Sequence, residues 1–193
     1  MKKLVVKTII ITLVSVLGAF AITVGALCLF SPATCASFFD GVGNYSASVF
    51  FYEKHYDKTG DINVLDTLYI KSYEAEDYVR AEKYLFTLIS HEGFDSLCAD
   101  NASPDSLTDK EYYYSSYALV LAKNGKESQA IFTCETFVSE NGYTKYNPFR
   151  ALVDEYKADA TLSATLKNKI ETILSGLNGA QLTYANEDLN KLN

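Results

Sequence analysis

Residues 8–30 run TIIITLVSVLGAFAITVGALCLF, 23 positions without a charge, behind a start that carries Lys2, Lys3 and Lys7. At ~1.5 Å rise per residue this segment makes a helix of roughly 35 Å, enough to cross a hydrocarbon core of ~30 Å. It has no polar face to show solvent, so a buried core helix fits poorly. No acidic residue precedes Asp40. Positive charge flanking a first span stays cytoplasmic, which puts the basic stub 1–7 inside the cell membrane and residues 31–193 outside.

Two other readings compete for the segment. A secretory signal would be cleaved near Thr34-Cys35-Ala36, but its apolar region is normally only ~7–15 residues. A lipoprotein would be acylated at Cys28, but Leu27 stands where a small residue belongs. A retained single-pass anchor over 8–30 is the preferred reading. Gly18, Ala21 and Gly25 lie along it, and Ala21 to Gly25 has the spacing of small residues that let membrane helices approach. Self-association through the span is one use for them.

Beyond the span the chain is acidic. Taking three lysines from the 17 basic residues leaves 14 against 24 Asp and Glu, a formal charge of −10. Such a surface repels phosphate backbones and anionic headgroups, which argues against nucleic acid and against a second, peripheral membrane contact. Few prolines and glycines suit helices rather than a sheet with many turns. Cys28, Cys35, Cys98 and Cys134 show no zinc or dithiol spacing. Cys98 and Cys134 could bridge, or Cys134 fills a helix interior as a small apolar residue, and the second reading is preferred.

The spacing of apolar residues predicts short helices in succession. Ser31-Pro32 ends the span; Asn44–Tyr56 is amphipathic and stops at Lys58-Thr59-Gly60; Asp61 caps a helix to about Tyr73. Tyr78–His91 follows, then a polar loop over Glu92–Leu107. Thr108 or Asp109 starts a helix that Gly125 closes. Lys126–Glu140, Pro148–Lys157 and Thr161–Leu174 complete the series, and the tail 177–193 reads as a weak or frayed helix.

These helices share a register. A turn followed five residues later by a small side chain occurs at Gly43/Ser48, Glu76/Ala81, Gly125/Ala130 and Asp159/Ala164, with turn positions 33, 49 and 34 apart. The long interval holds the Glu92–Leu107 loop. The pattern resembles the tetratricopeptide repeat over roughly residues 41–175. Its clearest unit is Tyr114–Phe137, with Tyr114, Tyr117 and Leu121 at large apolar positions, Gly125 at the turn and Ala130 as the small residue. The unit Leu65–Leu88 is similar. The family's later alanine is replaced by Leu88 and Phe137, and Asn168 and Glu171 stand where the last unit should be apolar. The resemblance implies an all-α chain: a transmembrane helix, then a short α-solenoid of antiparallel helix pairs over 31–176. It also implies binding of a protein or peptide partner.

Local chemistry is sparse. His55 and His91 are the two histidines, and His91 is placed to cap a helix end as an imidazolium. Asp57 to Asn63 superficially resembles a calcium loop, but Ile62 and Leu68 occupy positions where glycine and glutamate are needed. No phosphate loop or nucleophile elbow stands out. No cofactor, metal or catalytic residue is expected, and the chain reads as a non-enzyme. Asn44-Tyr-Ser46 and Asn101-Ala-Ser103 match the glycosylation sequon by chance in a chain of bacterial style. Consecutive tyrosines 112–114 span about 200° of a helix. With Tyr114 and Tyr117 inward, Tyr112 or Tyr113 is left as a candidate partner contact. Packing of these rings against the 92–107 loop is the plainer alternative.

Overall fold

The computed structural model describes residues 2–99 and 108–193. Among the described residues the chain is all helix, and it divides into two compact units, Met1–Ala75 and Glu76–Asn193.

The first unit holds α1 (Lys2–Phe30), α2 (Pro32–Gly41), α3 (Tyr45–Thr59) and α4 (Ile62–Glu74). Within α1 the stretch Val5–Thr23 has a mean hydropathy of 2.3 and none of it is buried, so it is long and apolar enough to cross a membrane. The helix stops at Ser31, whose φ of −134° and ψ of 77° are not helical, and Pro32 opens α2 without needing a donor. A continuous helix would separate residues 28 and 35 by about 10.5 Å. Their Cα atoms are 5.4 Å apart, so the chain turns sharply at Ser31, and Cys28 and Cys35 are joined by a disulfide.

Small side chains bring α2 onto α3. Ala36 and Ser48 are fully buried, and the Ser48 hydroxyl donates to the Ala36 carbonyl at 3.0 Å. Asn44 caps α3, Gly60 ends it in the left-handed region at φ +63°, and Asp61 caps α4 by accepting from the Asn63 amide at 3.0 Å. The buried face of α4 is Leu65, Leu68 and Tyr69. Lys71 Nζ reaches Asp40 at 2.8 Å and Glu74 at 2.8 Å, tying the end of α2 to α4. Burial pulls the Lys71 ammonium down, but bonds and charge from both carboxylates outweigh it and hold the proton above the ordinary lysine range.

The second unit holds α5 (Tyr78–Ile89), α6 (Phe94–Ala99), α7 (Asp109–Lys123), α8 (Glu127–Asn141), α9 (Pro148–Tyr156), α10 (Ala160–Leu174) and α11 (Gly179–Lys191). Helix α7 packs on α5, α6, α8 and α9, and α9 packs on α8, α10 and α11. Thr108 starts α7 with a reciprocal cap to Glu111, its hydroxyl accepting from the Glu111 amide at 3.2 Å. Ala118 and Ala130 vanish from the surface where α7 meets α8, and Gly125 makes the intervening turn at φ +68°.

Two expectations need revision here, and the two readings of Cys98 and Cys134 are decided. The Glu92–Leu107 segment is not all loop: α6 forms within it because Phe94 is buried against Tyr113 and Tyr114, with ring centroids 5.7 and 6.3 Å away. Residues 100–107, with the Asn101–Ser103 sequon and Pro104, lie outside the described residues. The tail beyond Gly176 is not frayed but forms α11, whose Ala185, Asp188 and Leu189 are buried. Cys98 and Cys134 are not bridged. Cys134 lies wholly buried in the core, where a small apolar side chain belongs.

Candidate functional site

Three places bear on what the chain could contact. The first is the stripe Gly18, Ala21, Gly25 on α1. All three are exposed, and among the described residues no atom stands within 4 Å of a Cβ built at Gly18 or Gly25. Seven residues is nearly two turns, so the two glycines share one side of the helix. That side is open to another helix.

The second is the aromatic run of α7. Tyr113 is 8% exposed and rests edge-on against Phe94, whereas Tyr112 is 37% exposed and leans on Tyr113 at 5.3 Å. Of the two candidate contacts, Tyr113 is the buried one and Tyr112 the exposed one. The deciding element is α6, which covers one side of the tyrosine run and leaves the other. Tyr114 and Tyr117 are half-buried, and burial raises both phenols above the ordinary tyrosine value.

The third was not anticipated. Val138 of α8 and Ile173 and Leu177 near the end of α10 line a cleft of about 370 Å³, rimmed by Glu135 and Gln181. Lys169 pairs with Glu135 at 3.0 Å. Gly142 stands at its edge at φ +80°, and a Cβ there would meet the Gln181 amide at 2.8 Å. The cleft needs α11 in place, and nothing in the local pattern of 177–193 announces that helix as a wall.

No family model, curated protein or solved structure matches this chain. Its chemistry has to be read from its own groups. Burial, then the Asp109 charge, pushes the Cys98 thiol up to about 11, and burial raises Cys134 well above the free thiol. Both stay protonated near neutral pH and are poor nucleophiles. His91 Nδ1 accepts from the Gly93 amide at 3.0 Å, so the ring shapes the turn into α6. Asp57 faces Lys54 at 4.0 Å, and Asp61 caps α4. Among the described residues no three His, Cys, Asp or Glu side chains gather as metal ligands.

Proposed function

We propose that the chain is a membrane-anchored adaptor or scaffold that holds a helical protein-binding body at the outer face of the cell membrane. One observation carries the reading: the unburied apolar stretch Val5–Thr23 continues through a single non-helical residue into a compactly folded unit. Lys2, Lys3 and Lys7 favour a cytoplasmic N-terminus. The Cys28–Cys35 disulfide, at the body end of α1, suits an oxidising compartment on the other side.

The body is read as a short solenoid of helix pairs, tetratricopeptide-like in its repeat positions. The reading rests on the repeat spacing of the sequence; in the second unit α7 packs against α8 and α9, with alanines buried at the α7–α8 crossing. The partner is a protein or peptide segment, met by Tyr112 or by the α8–α10–α11 cleft. No catalytic step and no cofactor enter this reading.

The test is a photo-crosslinking residue at Tyr112, and separately at Gln181, in intact cells. It is run with the native span and with α1 replaced by an unrelated span. A discrete product retained with both spans places recognition on the body. A product lost with the foreign span favours a second reading, an accessory subunit that binds through the open Gly18, Ala21, Gly25 side of α1.

A further inference from the structure

Four phenylalanines form one row where α2 meets α3. Phe38 and Phe39 stand edge-on at 5.5 Å, Phe39 and Phe51 stack at 5.4 Å, and Phe51 meets Phe50 edge-on at 5.2 Å. The inner pair is half-buried, but Phe38 is 59% exposed, Phe50 50%, and Val42, at the end of α2, 62%. A folded protein does not normally leave a joined aromatic surface uncovered.

Its position says what covers it. Cys35 is bonded to Cys28 in the last turns of α1. Phe38 lies about 4.5 Å and Val42 about 10 Å further along the chain than Cys35. The headgroup region and the upper acyl boundary, where amphipathic helices seat their apolar faces about 5–10 Å deep, extend over the same range. Because the chain turns at Ser31, α2 does not prolong the axis of α1 away from the bilayer.

Charge agrees. From Thr8 to Tyr52 the only charged residue is Asp40, one of the 24 acids of the chain, and Lys71 neutralises it at 2.8 Å. The acidity that argues against a peripheral contact for the body as a whole is missing from this surface. Lys54, which also faces Asp57 at 4.0 Å, stands over the Phe50 ring, 5.7 Å from its centroid. Exposed aromatic rings beside a lysine stem suit an interfacial lipid contact.

We infer that Phe38, Val42 and Phe50 are seated in the outer interface of the bilayer that α1 crosses, a second membrane contact that fixes how the first unit lies on the lipid. The inference rests on the reading of α1 as a span.

The chain contains no tryptophan, so each of Phe38→Trp, Phe50→Trp and Leu13→Trp introduces a single indole. The full-length variants are reconstituted into phosphatidylcholine–phosphatidylglycerol vesicles with or without brominated acyl chains, and aqueous iodide serves as the opposing quencher. The expected result is a blue-shifted emission at all three positions, most of it lost to brominated lipid and little to iodide. If Leu13→Trp is quenched by lipid while the two phenylalanine positions are quenched by iodide, the second contact is overturned and the anchor stands. If Leu13→Trp itself is open to iodide, the spanning reading has failed. Indoles at 38 and 50 shielded from both quenchers would overturn the inference in favour of a protein cover. That cover is a second copy if the shielding falls on dilution into lipid. Val42→Trp lies outside the helix interior and supplies the same readout if a ring replacement disturbs the α2–α3 packing. Adding Phe38→Ser and Phe50→Ser to it should abolish its quenching by lipid.

Discussion

Tyr143 donates its hydroxyl proton to Oδ2 of Asp188 at 3.0 Å, across 45 residues of chain, and both side chains are fully buried. The other oxygen of the same carboxylate accepts from Arg150 Nε at 2.8 Å, and Arg150 also reaches Glu187 at 3.0 Å. Burial, then the Asp188 charge, raises the Tyr143 phenol far above its ordinary value and keeps it a donor. This arrangement fastens α11 to the start of α9 and makes the C-terminal helix part of the core.

Removing the cation should therefore cost more than a surface ion pair. Arg150→Ala leaves the buried Asp188 carboxylate with Tyr143 alone, and a loss of about 3 kcal/mol is expected. Urea denaturation reads it directly. Asp188→Asn in the Arg150→Ala background should restore part of the loss, because the uncompensated charge is gone. Equal, additive losses would show that the two residues are not coupled.

Alkali should loosen the second unit through Tyr156. Among the described residues its buried hydroxyl has no hydrogen-bond partner, and burial, then Glu127, Cys134 and Glu155, pushes the phenol up to about 12. The unfolded phenol titrates near about 10. Above that pH the unfolded chain sheds the proton while the folded one keeps it, so stability present below about pH 10 is lost as pH rises towards about 12. Tyr156→Phe removes this titration and an unsatisfied polar group, and should gain about 1 kcal/mol at neutral pH. Its advantage should be larger at pH 11. A variant weaker than the parent at both values would mean that the hydroxyl has a partner in solution.

The cysteines can be counted. Alkylation under denaturing conditions without reductant should add two labels by intact mass, mapped to Cys98 and Cys134. After reduction it should add four, the new ones at Cys28 and Cys35. Labels at Cys28 and Cys35 before reduction would refute the bond and weaken the argument that the body faces an oxidising compartment.

The open side of α1 makes a separate prediction. Leucines at Gly18 and Gly25 enter free space, so Gly18→Leu with Gly25→Leu should leave the melting temperature of the helical body unchanged. If small residues bring copies of the span together, energy transfer between donor- and acceptor-labelled proteins in vesicles should drop in the same variant. Undiminished transfer would remove this side from the association.

Much of the secondary structure is legible because its signals are local. The caps at Asp61 and Thr108 and the turn at Gly125 each act within about one helical turn, and the helices there start or stop where those residues say, as α1 stops where the uncharged run ends at Phe30. The tail looks weak by itself because Asn186, Glu187, Asp188 and Asn190 crowd it with polar side chains. Asp188 reads as a solvent residue until Tyr143 and Arg150 are brought to it. Tyr112 and Tyr113 are indistinguishable by type, and only the seating of Phe94 buries one and not the other.

Sequence alone determined that this chain is helical, that its first helix can cross a bilayer, and where most helices begin and end, because propensity, capping and hydrophobic length depend on neighbours along the chain. Tertiary structure decided that Cys28 meets Cys35, that Asp188 is a core residue, that Gly142 and Gln181 edge a cleft, and that four phenylalanines join into one surface. Those outcomes depend on which helix faces meet and at what turn, and that is settled by packing the whole set of apolar faces at once rather than by any segment's own pattern.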